Sequence, residues 1–139
     1  MQFFDREELA RWSEWAAYTL ASARRDLEAG DYSWASFKAQ QSAEYALKGL
    51  LRGWGLPATG HSVLRLAEQL EQAGATLPAG LANRARTLDR HYIPPRYPDA
   101  YASGTPAEFY DRRTADDAVS AAQEVIQYAR EAAGLAEAD

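Results

Sequence analysis

The 139-residue chain has no cysteine and only two histidines, His61 and His91. Without cysteine there is no disulfide framework, no thiolate metal site and no thiol nucleophile, so stability must come from packing and a reducing compartment is acceptable. Nothing at metal-binding spacing accompanies His61. No apolar run approaches a membrane span, and the start, Met-Gln-Phe-Phe-Asp-Arg, lacks a basic segment followed by an apolar one. The expectation is a cytoplasmic protein with no membrane partner and no cofactor. Strand-like alternation, repeats and low-complexity segments are also missing, and the length suits a single domain over residues 1–139.

Helical periodicity is what remains. Leu9, Trp12, Ala16, Leu20, Ala23 and Leu27 recur at spacings of three and four, one face of a helix from Asp5 to about Ala29. Gly30-Asp31 breaks that pattern, and a second helix from about Tyr32 to Trp54 folds back as a hairpin. Its small residues Ala35, Ala39 and Ala43 lie one turn apart and let the first helix approach closely. Gln40, Gln41, Ser42 and Glu44 read first as a solvated flank, with Glu44 paired to Lys48 one turn later; the alternative is that Gln40, near the edge of the apolar face, points into a groove. Ser62 caps a third, shorter helix carrying Val63, Leu66 and Leu70. Pro78 opens a fourth, which turns Leu81, Ala85, Leu88 and Tyr92 toward the core and ends near Tyr92 or Ile93. Thr105-Pro-Ala-Glu108 has the form of a capping box, Thr114-Ala-Asp-Asp117 is a second start signal, and the last helix runs to about Ala133. The predicted fold class is all-α, an up-and-down helical bundle of four main helices plus one short helix.

Chemistry concentrates between Arg84 and Asp99, where four arginines, one histidine, two tyrosines and three prolines share sixteen residues. From Arg84 to Arg113 six arginines face four acids, whereas from Thr114 onward six acids face Arg130 alone. A modest basic region on a body of net charge −5 suits a phosphate-bearing ligand better than a long duplex. The prolines predict a stiff loop presenting Arg96, Tyr97 and Asp99. If the fourth helix reaches His91, then Arg84 and His91 lie on one line at the margin of its apolar stripe, while Arg86 and Arg90 point to phosphate or water.

An arginine with a histidine suits RNA: the guanidinium holds phosphate through forked hydrogen bonds, and imidazole exchanges protons with a ribose hydroxyl near neutral pH. Tyr92, Tyr97, Tyr101, Phe109 and Tyr110 add stacking faces for bases. The competing reading is that these tyrosines pack the loop onto the bundle. Trp15 and Trp34 lie off the apolar stripes, as interface aromatics often do.

Three segments resemble the HEPN family of small helical domains: Asp31-Tyr-Ser-Trp-Ala-Ser-Phe-Lys-Ala-Gln-Gln-Ser-Ala-Glu-Tyr-Ala-Leu-Lys-Gly-Leu-Leu51, Gly60-His-Ser-Val-Leu64, and Leu88-Asp-Arg-His-Tyr-Ile-Pro-Pro-Arg-Tyr-Pro-Asp-Ala100. The resemblance implies a helical bundle, nucleotide binding, homodimerisation, and pairing with a minimal nucleotidyltransferase in a toxin-antitoxin-like arrangement. It also implies, for some members, metal-independent RNA cleavage by an arginine and a histidine with four to six residues between them; here Arg86 to His91 has four and Arg84 to His91 has six. The flanking residues depart from that pattern: Ala85 follows Arg84, Thr87 follows Arg86, and Ile93 stands where a tyrosine is usual. A further register runs from Arg96 to Tyr101, which would leave the site without its histidine.

Three readings emerge. The first is a nucleotide- or single-stranded-RNA-binding homodimer beside a nucleotidyltransferase, using Arg96, Tyr97, Asp99, Tyr101 and Arg90. The second is an endoribonuclease using His91 with Arg84 or Arg86. The third is an interaction module built on its exposed tryptophans.

Overall fold

A computed structural model of the chain describes residues 3–134. Those residues form five α-helices and no strand: α1 (Arg6–Ala29), α2 (Tyr32–Gly53), α3 (Val63–Gln72), α4 (Leu81–Asp89) and α5 (Arg112–Ala133). The first turn of α1 is closed by Asp5, which accepts the Glu8 amide at 3.0 Å, and the helix stops at Gly30, whose φ of +85° is a conformation that glycine adopts without cost. That stop folds α2 back along α1 as the predicted hairpin. Ala35, Ala39 and Ala43 are fully buried, so small side chains line the second helix as its sequence requires.

Helix α2 is the central element. Fifteen of its 22 residues are buried, because α1, α5, α3 and α4 all pack against it. Leu47 and Leu50 meet Leu9, Ala16 and Leu20 of α1, Leu66 and Leu70 of α3, Leu88 of α4, and Ala122 and Val125 of α5 in one continuous core. Side chains of this kind contribute roughly 1.5–3 kcal/mol each on full burial.

Two helix ends differ from expectation. Helix α4 stops at Asp89, before Tyr92, and residues 90–97 form a series of turns. At the other side of the loop, the capping box of Thr105 and Glu108 closes a single 3-10 turn, Pro106–Glu108, and α5 begins later. Its cap is Asp111, which accepts the Thr114 amide at 2.8 Å. Among the described residues no helix is long and apolar enough to cross a membrane.

Candidate functional site

The end of the bundle that carries the proline loop is assembled around Asp89. Its Oδ1 accepts the backbone amide of Val63 at 2.7 Å, and its Oδ2 accepts the Leu64 amide at 3.1 Å and the Ser62 hydroxyl at 2.7 Å. Ser62 in turn accepts the Arg65 amide at 3.1 Å, so the start of α3 is capped both from within and by the last residue of α4. Carboxylates are favoured there because the first amides of a helix have no internal acceptor and carry partial positive charge. The arrangement ties the Gly60–Leu64 and Leu88–Ala100 segments into one unit.

Beyond Asp89 the loop presents Arg96 within an aromatic frame. The guanidinium carbon lies 4.4 Å from the ring centre of Phe37, 4.5 Å from that of Tyr92 and 4.9 Å from that of Tyr97. Nε donates to the Tyr92 carbonyl at 2.7 Å, and Nη1 donates to the Tyr97 hydroxyl at 3.3 Å. Flat stacking on aromatic faces suits guanidinium, which is delocalised and weakly hydrated at its faces, and Nη2 is the nitrogen not engaged by Tyr92 or Tyr97. Pro95, next to Arg96 in the chain, is fully buried and anchors the loop. Tyr92, expected in the core, is half-buried instead; its ring stacks on His61 at 4.8 Å and 14°.

The other sequence-predicted residues go elsewhere. His91 is buried, with Nδ1 2.9 Å from the Tyr110 hydroxyl. Burial, reinforced by the neighbouring Arg90 cation, lowers its pKa from 6.5 to about 4, so the imidazole is neutral at physiological pH. The Tyr110 hydroxyl is pushed well above the ordinary phenol range by burial and by Tyr101 beside it. Tyr101 stacks on Phe109 with ring centres 4.3 Å apart, and the exposed Asp99 sits in a 3-10 turn, Pro98–Ala100. Arg84 pairs with Glu124 of α5 at 2.7 Å, and Arg86 donates to Asn83 at 2.8 Å. Arg90 is exposed at the C-cap of α4. The structure therefore brings Arg96 to Tyr97, and Tyr101 to His91 through Tyr110. It does not bring Arg84 or Arg86 to His91, because the helix on which that alignment depends ends two residues short of the histidine.

Several residues behind the loop were missed by pattern reading. The polar stretch of α2, expected to be solvated, is buried: Gln40 is 0% and Glu44 2% exposed. The carboxylate of Glu44 accepts from Lys48 at 3.1 Å and from Gln41 at 3.3 Å, the former being the expected pair one turn apart. Gln40 accepts from Gln41 at 2.7 Å and donates to the His61 carbonyl at 2.7 Å. Burial of the charged pair is offset in part by the hydrogen bonds that the carboxylate accepts from Lys48 and Gln41. Phe37, which supports Arg96, carried no local signal beyond being an aromatic on a helix. Among the described residues, no three His, Asp or Glu side chains cluster as a metal site requires.

The HEPN domain family model matches residues 9–132. The chain belongs to the HEPN family. Three solved structures share the HEPN fold at substantial identity. TT1696 from Thermus thermophilus is 42% identical with a TM-score of 0.85, over 88% of this chain and 96% of its own. ST0689, an archaeal HEPN homologue, is 35% identical with a TM-score of 0.74, over 88% and 95%. The HEPN domain protein tm0613 from Thermotoga maritima is 31% identical with a TM-score of 0.73, over 89% and 98%. No curated protein matches the chain.

Proposed function

We propose that this HEPN protein binds nucleotides or single-stranded RNA without cleaving them, as a homodimer that works beside a minimal nucleotidyltransferase. The observation that carries the reading is the Arg96 guanidinium, framed by Phe37, Tyr92 and Tyr97 on a loop held in place by Asp89 and Pro95. A pre-ordered arginine beside aromatic faces offers a phosphate contact next to a stacking surface, with little ordering left to do on binding. Tyr97 is exposed and offers a base the ring face that Arg96 does not cover. Asp99, Tyr101 and Arg90 border this end of the bundle. Binding without cleavage is supported by His91, whose buried, neutral ring is engaged with Tyr110, and by Arg84, which is engaged with Glu124.

The homodimer is supported by Trp15 and Tyr18, which stack at 5.4 Å on the outer face of α1 and remain exposed, and by the half-exposed Trp34. Pairing with a nucleotidyltransferase is what family membership supports.

Equilibrium titration with fluorescently labelled ADP and with a short single-stranded RNA tests the site. The parent protein binds both, more weakly as salt rises, and Arg96→Ala weakens binding about tenfold or more, the effect of losing one charged hydrogen bond. Undiminished affinity in a folded Arg96→Ala protein refutes the site. Incubation with RNA in EDTA leaves the RNA intact; degradation that His91→Ala abolishes would establish the endoribonuclease in its place.

A further inference from the structure

The remaining histidine, His61, is held in an orientation that a surface residue does not acquire by chance. Its carbonyl accepts from the fully buried Gln40 at 2.7 Å, its ring face lies on Tyr92, and its Nδ1 faces the buried Glu44 carboxylate at 3.4 and 3.5 Å. Its side chain is nevertheless 58% exposed. With Nδ1 turned to the carboxylate, the opposite nitrogen, Nε2, is the one turned away from that carboxylate.

We propose that His61 is a second, proton-gated phosphate contact of the nucleotide site, with Nε2 as the donor. The proposal rests on the Arg96 reading and extends it to a neighbouring residue. His61 and Arg96 lie 4.8 and 4.5 Å from the same Tyr92 ring centre, which puts the two groups within one nucleotide's length of each other.

The charges decide when Nε2 donates. Lys48 and Glu44 cancel, so a neutral His61 adds nothing to the field of Arg96. In that state Nδ1–H points to Glu44 and Nε2 is an acceptor, which repels phosphate oxygen. The imidazolium donates from both nitrogens at once, one to Glu44 and one outward. The other groups around it do not supply this switch. Gln40 and Tyr92 contribute a carbonyl contact and a ring face, and the nearby Asp89 is occupied by Ser62 and the α3 amides. Those amides are accordingly not available as an anion site. A phosphate that settles on Nε2 therefore brings a proton with it.

The chain offers a clean assay, because its only other histidine, His91, titrates near pH 4 and is silent around neutrality. ADP affinity is measured by calorimetry at pH 6 and pH 8 for the parent and for His61→Gln, with thermal unfolding to confirm that the variant is folded. The parent binds about five- to tenfold more tightly at pH 6, a difference expected of one charged hydrogen bond. Phosphate itself gains negative charge over this range, which works in the opposite direction, so a fall in affinity toward pH 8 originates in the protein. His61→Gln loses the preference for pH 6 and binds no more tightly there than at pH 8, where its affinity is about the parent's. A variant that keeps the parent's pH profile overturns the His61 contact and leaves the Arg96 site standing. Absence of ADP binding by the parent at either pH overturns both.

Discussion

Nδ1 of His91 and the hydroxyl of Tyr110 lie 2.9 Å apart inside the bundle, with the two rings in an edge-to-face arrangement at 5.4 Å. Burial of the histidine makes stability depend on pH. The unfolded chain protonates this imidazole near 6.5, whereas burial delays protonation in the native state to about 4. Between those values the unfolded state holds more protons, so stability is complete above about pH 6.5 and declines as pH falls toward 4. The loss is on the order of 3 kcal/mol. Urea unfolding at pH 7 and pH 4.5 should show a smaller difference for His91→Gln than for the parent; identical differences would remove His91 as the cause.

Asp89, the last residue of α4, closes the start of α3, 26 positions earlier in the chain. Asp89→Ala leaves the Val63 and Leu64 amides and the Ser62 hydroxyl without their acceptor, and stability should drop by about 1–3 kcal/mol. Hydrogen exchange at the first amides of α3 should accelerate more than at the α1–α2 hairpin. Uniform acceleration across both regions would mean that the residue does not act as a local clamp.

At Gly49, α1 lies directly against α2. A β-carbon there would stand 2.8 Å from Cβ of Trp12, which is rigidly attached to the α1 backbone. Gly49→Ala gains about 1 kcal/mol in helix propensity but forces the hairpin apart at a cost of about 1–3 kcal/mol. The melting temperature should fall. A rise would show that the hairpin gives way easily.

Arg84 and Glu124 form an ion pair whose side chains are each about half exposed to solvent. Such pairs contribute about 0–1 kcal/mol, so Arg84→Ala should leave the melting temperature and ADP affinity nearly unchanged. A large loss of affinity would move the site from the loop to the α4–α5 face.

How much was legible in advance differs between backbone and site. Caps at Ser62 and Thr105, the stop at Gly30 and the apolar stripes of all five helices are local features. They depend on residues three or four apart, and the sequence displays them directly. The basic aromatic loop with Arg96 next to Tyr97 is local as well, since its prolines stiffen the segment.

Contacts between distant segments were not legible. The residue that caps α3 from outside is 26 positions away from Val63, and His61 meets Glu44 across 17. Pattern reading treated the polar face of α2 as solvated because polarity usually marks the outside; α2 instead packs against four helices, and its Gln40, Gln41, Glu44 and Lys48 satisfy one another. The end of α4 also departs from the periodicity, and its last residue, Asp89, caps another helix.

By itself, then, the sequence determined the helices, their order and the charged loop, because propensity, capping and periodicity act over one or two turns. Only the tertiary structure decided which charged groups are buried, that His91 is paired with Tyr110, and that Arg96 and His61 share the Tyr92 ring, because burial and orientation depend on neighbours that the chain supplies from elsewhere.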